Sequence, residues 1–307
     1  MPKNNAPAAR VARLRTLMEE RGYDAVVLRN NPDLRWLTGC RGVFDDECAH
    51  TALVTARWLW LHTDSRYYNS FVENMGEASP WQLDMEVVGA PQWVAQHVLH
   101  ARARVVAVED TCTLAFYDAL KHALAEASVA PSLPRLHGDI CNLRMVKDAD
   151  ELELLREAQR ITDAAFEHIC GYIKVGMTEQ EIRAELENYM LSHGANGLSF
   201  DTIIASGPNG ANPHARPGAR KVCRGDLIVM DYGALYEDYH ADMTRTVCIG
   251  EPNEEQISVY EIVRRAHEEC AAAVRPGVIG TDIHNLSVQI IGEAGYGDFY
   301  GHGLGHG

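Results

Sequence analysis

The chain has no C-x-x-C pair, no long apolar run and no excess of basic residues, and each absence removes a class of function. Eight cysteines, at 40, 48, 112, 141, 170, 223, 248 and 270, lie scattered. That pattern argues against a zinc ribbon and a disulfide framework, and it predicts free, mostly buried thiols in a reducing cytoplasm. The longest apolar stretches, such as "DAVVL" and "RWLWLH", are far shorter than the roughly 20 residues that span a bilayer. The opening "MPKNNAPAARVARLRTLMEERG" has no apolar h-region and runs directly into an amphipathic helix, so no signal peptide is expected. Lys and Arg number 28 against 43 Asp and Glu, a net charge of −15. An acidic surface repels phosphate backbones, so neither nucleic acid nor anionic membrane is an expected partner.

What is present suffices for two domains of ordinary size: 307 residues, 46% hydrophobic and 23% charged. Residues 8–140 alternate strand-like and helix-like segments. "RLRTLMEERG" reads as a helix with Gly22 just past its end, and "DAVVL" as a strand. "ALVTARWLWLHT" reads as a hairpin, "SRYYNSFVENM" as a helix, "MEVVGA" as a strand and "PQWVAQHVLHA" as a helix opened by proline. The strand "RVVAVED" and the helix "LAFYDALKHALAEA" complete an α/β domain over 1–140, and "ASVAPSLPRLHGD" looks like a linker.

A second domain, 141–307, opens with the capping box Asp148-x-x-Glu151 and a long helix; Thr178-x-x-Glu181 starts the next one. An internal repeat organises it. "AFEHICGYIKVGMTEQEI" aligns with "AHEECAAAVRPGVIGTDI" at an offset of 101 residues, which also pairs Gly176 with Gly277 and Gly194 with Gly295. Each half reads as helix, glycine turn, helix and strand entry, a duplicated unit.

Three stretches carry candidate chemistry. In "DYGALYEDYHAD", a hairpin centred on Tyr236–Glu237 would set Asp231 directly opposite Asp242, with Cβ atoms roughly 4.5–5.5 Å apart. Like charges so placed call for a cation, and a divalent metal is the natural one; an Asp that caps a turn or pairs with Arg245 would satisfy the same spacing. "NPHARPG" carries His214 in a Pro- and Gly-rich loop, where a lone histidine need have no function. "GHGLGHG" supplies His302 and His306 four apart, but glycine at 301, 303, 305 and 307 disfavours a helix, and His306 stands where a G-x-G-x-x-G phosphate loop needs glycine. Two imidazoles on a closely packed backbone remain.

Together, "SFDTIIASGPNGANPHARPG", "GDLIVMDYGALYEDYHADMTRTVCIGEP" and "GYGDFYGHGLGHG" resemble the creatinase/prolidase/aminopeptidase P group of metallopeptidases, which have the pita-bread fold. The N-terminal "NNPDLRWLTG" and "LHTDSRYY" resemble the creatinase-type N-domain. The fold implied is an α/β N-domain followed by an α+β pita-bread domain of duplicated helix-helix-strand units. The activity implied is hydrolysis of the Xaa-Pro bond in proline-containing di- or oligopeptides by a cytoplasmic homodimer. By resemblance, Asp231 ligates one metal, Asp242 bridges two, and His306 is a third ligand. His214 stabilises the developing oxyanion, His302 lines the substrate side, and Thr244 and Arg245 buttress Asp242. Two divalent ions (Mn, Co, Fe or Zn), about 3.5–4 Å apart, would activate the water.

The pattern also contains two glutamate ligands on later strands of the second repeat, and this sequence ends at Gly307 without them. Read so, the chain is C-terminally truncated, with reduced or mononuclear metal binding and little activity. Two other readings stay open: a metal-free creatinase-type hydrolase, against which Asp231, Asp242 and His306 argue, and a non-catalytic peptide- or protein-binding module.

Overall fold

A computed structural model of the chain describes residues 6–305, apart from 46, 78 and 86. The expected ligand His306 lies outside the described residues. The chain forms two compact units, one of Met1–Ala158 with Leu235–His240, the other of Gln159–Ala234 with Ala241–Gly307.

The first unit runs α1 (Ala6–Arg21), β1 (Ala25–Leu28), α2 (Asn31–Thr38), β2 (Thr51–Thr55), β3 (Leu59–Thr63), α3 (Tyr68–Met75) and β4 (Gln82–Met85). It continues through α4 (Ala90–Ala101), β5 (Val106–Val108), α5 (Leu114–Glu126) and α6 (Asp139–Met145). Five strands form one mixed sheet in the order β4-β3-β2-β1-β5. Successive strand residues point to opposite faces, and the core divides accordingly. Val26, Leu28, Ala52, Val54 and Leu61 join Leu14, Met18, Leu34 and Leu37 of α1 and α2 on one face. Ala25, Val27, Leu53, Val106 and Val108 join Trp93, Val98, Phe116 and Leu120 of α4 and α5 on the other. Sandwiched between helices, β1, β2, β3 and β5 are buried at every position, so they read as continuous apolar runs.

Three expectations shift here. The strand expected in "MEVVGA" lies earlier, at Gln82–Met85, where Gln82 pairs with Trp60 and its Oε1 accepts from the indole at 2.6 Å; Val87 is 89% exposed. The expected linker is partly a sixth extended segment along β5: Val106 N–H donates to Ser132 O, Val108 N–H to Pro134 O, and Leu136 is fully buried. The cysteines are free, as expected, but only Cys40 and Cys270 are buried, while Cys48, Cys141, Cys170 and Cys223 are exposed.

α7 (Ala149–Tyr172) begins in this unit with the expected capping box, Asp148 N–H to Glu151 Oε2 at 2.9 Å and Glu151 N–H to Asp148 Oδ1 at 3.1 Å. Buried Arg10 pairs with Asp148 at 2.7 Å, which ties the start of α7 to α1 and carries the packing boundary on to Ala158, beyond residue 140.

The second unit holds the rest of α7, then α8 (Glu179–Ser192), β6 (Gly197–Leu198), β7 (Ile203–Ser206) and β8 (Leu227–Tyr232). β9 (Ala234–Tyr236) and β10 (Tyr239–His240) form the hairpin tip; β11 (Met243–Cys248), α9 (Glu254–Ala273) and α10 (Gly280–Glu293) follow. β11, β8 and β7 form an antiparallel sheet in that order. The duplication is visible in the backbone: Gly176 and Gly277 turn at φ 92° and 88°, Gly194 and Gly295 at 110° and 87°. Burial follows the same offset, since Ala165, Ile169, Ile182 and Met190 are matched by Ala266, Cys270, Ile283 and Ile291, all buried. α9 and α10 pack together through Ala266, Ile290 and Ile291. The expected strand entry at "GHGLGHG" is not one within the described residues, because 301–305 form no ladder.

Candidate metal centre

β8 alternates half-exposed Leu227, Val229 and Asp231 with buried Ile228, Met230 and Tyr232. Apolar residues at every second place bury one face and leave Asp231 on the other. Two residues, Glu237 and Asp238, turn the chain back, with φ of 47° and 69°. Paired left-handed residues make a two-residue turn whose twist suits a hairpin. The turn therefore centres on Glu237–Asp238, and Tyr236 pairs with Tyr239.

This corrects the expected register. Asp231 stands opposite Thr244, not Asp242. Asp242 is the diagonal neighbour, at a typical spacing of about 7–8 Å rather than that of an opposed pair. Both stay on one side of the hairpin: Ala241 and Met243 are buried, while Asp242 and Thr244 are exposed. Between the carboxylates lies Gly233, where a Cβ would fall 1.8 Å from Ala241 O. Only glycine lets the two backbones approach so closely.

Thr244 supports Asp231 rather than Asp242, its hydroxyl donating to Asp231 Oδ1 at 2.8 Å. Arg245 points away from this face, as alternation requires, and its guanidinium donates to Thr244 O at 2.8 Å. The histidines come together as a pair: the rings of His214 and His302 are edge-to-face with centroids 6.4 Å apart. His214 N–H is held by Asn212 Oδ1 at 3.1 Å, while Ala215 behind it is buried. His302 Nδ1 lies 2.7 Å from Gly303 O. A carbonyl only accepts, so this contact puts the proton on Nδ1 and leaves Nε2 as an acceptor in the neutral ring. Among the described residues no group of three or more His, Cys, Asp or Glu side chains is placed to hold a metal; Asp231 and Asp242 are the two expected ligands that fall within them.

One residue of this region was not singled out in the sequence. Glu179, the first residue of α8, is fully buried and accepts four hydrogen bonds from the segment around His214. Burial pushes its carboxyl up, but the donors from Ser206, Asn209 and Gly218 outweigh it and hold the group below the usual range. The only sequence signal was an acidic residue beside a helix cap, where glutamate is common for local reasons.

Residues 153–307 match Metallopeptidase family M24, and residues 10–146 match the Creatinase/Prolidase N-terminal domain. The chain is 30% identical over 299 residues to an uncharacterized peptidase, YqhT, of Bacillus subtilis, covering 97% of this chain and 81% of that protein. Among solved structures, an Xaa-Pro dipeptidase from Bacillus anthracis superposes with a TM-score of 0.89 at 31% identity, covering 98% of this chain and 81% of that one. An X-Pro aminopeptidase from Thermotoga maritima gives 0.85 at 33% identity, covering 97% and 81%. The creatinase-type N-domain and the pita-bread domain expected from the sequence are both borne out, and the chain belongs to metallopeptidase family M24.

Proposed function

We propose that the second domain is a divalent-metal-dependent peptidase for the Xaa-Pro bond, with Asp231, Asp242 and His306 as metal ligands. The observation that carries this reading is the pair of aspartates on one side of the hairpin, with Thr244 holding Asp231. Carboxylates are the donors hard divalent cations prefer, and a hydroxyl bonded to a ligand carboxylate fixes its rotamer. Relatives called Xaa-Pro dipeptidase and X-Pro aminopeptidase support the substrate class.

A bound ion supplies Lewis acidity and a water acidic enough to lose its proton near neutral pH. His214 donates to the scissile carbonyl oxygen as negative charge develops there. His302, with Nδ1 turned to Gly303 O, leaves Nε2 for a contact with the substrate. The homodimer, the cytoplasmic location and the choice among Mn, Co, Fe and Zn belong to the same reading.

Calorimetric titration with Mn²⁺, run beside an Ala-Pro hydrolysis assay, tests this. The expected result is Mn²⁺ binding that weakens at least about tenfold in D231N and D242N, with chelator-sensitive hydrolysis. Equal Mn²⁺ affinity in the parent and in both variants removes the metal site. Hydrolysis untouched by chelator favours the creatinase-type alternative, and chelator-independent peptide binding without hydrolysis favours the binding module. Sedimentation velocity reads the oligomeric state.

A further inference from the structure

The loop that carries His214 leaves the sheet at Ser206 and returns to regular pairing at Leu227, with no strand or α-helix of its own between. Apart from a 3₁₀ turn at Gly207–Ala211, the side chains of such a segment depend on a rigid scaffold to position them. Glu179 grips it on both sides of His214. Oε1 accepts from Ser206 N–H at 2.8 Å, from the Ser206 hydroxyl at 2.7 Å and from Asn209 Nδ2 at 2.9 Å. Oε2 accepts from Gly218 N–H at 3.0 Å. His214 lies between Asn209 and Gly218, the two donors on either side of it.

The backbone of α8 joins in. Gln180 N–H donates to Gly218 O at 3.2 Å and Glu179 N–H to Arg220 O at 3.1 Å, so the open first turn of the helix is capped by the returning loop. The Ser206 hydroxyl, donating to Glu179, accepts in turn from Arg220 Nη1 at 2.6 Å, and Arg220 pairs with Asp226 at 2.7 Å. Every partner of the Glu179 carboxylate is a donor. An amide in its place would keep one oxygen and turn an NH₂ toward either Gly218 N–H or the Ser206 and Asn209 donors. The site demands a carboxylate, not merely a polar side chain of this size.

We propose that Glu179 is the positioning residue for His214, its carboxylate clamping the loop on both sides of the histidine so that the imidazole stands at a fixed place beside His302. The positioning itself is independent of the proposed activity; its consequence for turnover rests on the peptidase reading.

The test compares the parent chain with E179Q and N209A by amide hydrogen exchange and by ¹³Cε1–¹H spectra of the histidine rings, with His214 assigned through H214N. In E179Q the Ser206 and Gly218 amides should exchange about ten- to a hundredfold faster, as expected for a lost bond to a charged acceptor. The His214 signal should shift toward a solvent-exposed position, while α7, β8 and the other histidines keep theirs. N209A, which leaves the carboxylate and three of its donors, should show the same loop-confined pattern at smaller size. A uniform rise in exchange across the unit, or an unmoved His214 signal, overturns the proposal. In Mn²⁺-supplemented Ala-Pro assays E179Q should lower kcat at least about tenfold with KM changed less than about threefold. An unchanged kcat with a loosened loop overturns the consequence for turnover. A parent that does not hydrolyse Ala-Pro counts against the peptidase reading, and the spectra then decide the positioning alone.

Discussion

Gly233→Ala tests how closely the two backbones must approach between the aspartates. The added Cβ would fall 1.8 Å from Ala241 O, 2.5 Å from Ala241 C and 3.2 Å from Asp242 N. Ordinary contact begins near 3.4 Å, so one backbone must retreat by about 1.6 Å. Hydrogen bonds tolerate only a few tenths of an ångström. The bonds from Ala241 N–H to Ala234 O at 3.0 Å and from Ser199 N–H to Gly233 O at 2.9 Å would therefore both open. Two bonds at about 1 kcal/mol each, with about 1–3 kcal/mol of overpacking, give a loss of about 3–5 kcal/mol. Gly225→Ala is the control: its φ of +87° strains any side chain, but no atom lies within 4 Å of the new Cβ. It should lose only about 1–2 kcal/mol. Urea unfolding followed by hydrogen exchange reads the second unit separately, which matters because a chain of two compact units need not unfold in one step. Mn²⁺ affinity should fall in G233A and hold in G225A. If G233A cost no more stability than G225A, the close-approach reasoning would be refuted.

Thr244→Val keeps the shape and removes the donor to Asp231, so Mn²⁺ affinity should weaken about ten- to a hundredfold while stability changes by less than about 1 kcal/mol; calorimetry showing an unchanged Kd would refute the support role. Glu179 has a depressed carboxyl pKa, so its stabilisation is fully present above the unfolded value near 4.5 and is lost as pH falls through the lower folded value. The stability gap between parent and E179Q should thus be flat from pH 7 to about 5 and narrow below about 4.5, read from urea midpoints. His50, buried with its Nδ1 2.9 Å from Thr63 Oγ1, is pushed down by burial to about 4 from 6.5. Between those values the unfolded chain takes up a proton that the folded chain does not, so stability should fall as pH drops from 6.5 to 4, by an amount of order 3 kcal/mol. His50→Gln should flatten that part of the profile, and a profile unchanged by H50Q would place its cause elsewhere.

Local chemistry was legible in the sequence where it is local in fact. The capping boxes at Asp148 and Thr178 and the strands buried on both faces follow from spacing within a few residues, and the structure contains them. β4 was misplaced because an edge strand is chosen by its partner: the β-prone valines at 87 and 88 lie outside the ladder, while "QLDM" pairs with β3. Glu179 could not be found at all, because its four bonds reach residues 27 to 39 positions away.

The hairpin shows why a shifted register still leaves Asp231 and Asp242 on one side of the sheet. Its turn lacks the Asn-Gly or Gly-Gly that usually marks two left-handed residues, since Glu237 and Asp238 take that role. Moving the centre by one residue moves each strand partner by two, and a shift of two returns every side chain to its original face. The opposed pair therefore became a diagonal pair without either carboxylate crossing the sheet, and the place opposite Asp231 went to Thr244, a donor rather than a second negative charge. That exchange removes the like-charge repulsion that the opposed arrangement would have required a cation to offset. Asp231 is held in its rotamer by a neutral hydroxyl, so the side of the hairpin that carries both carboxylates can form by folding alone.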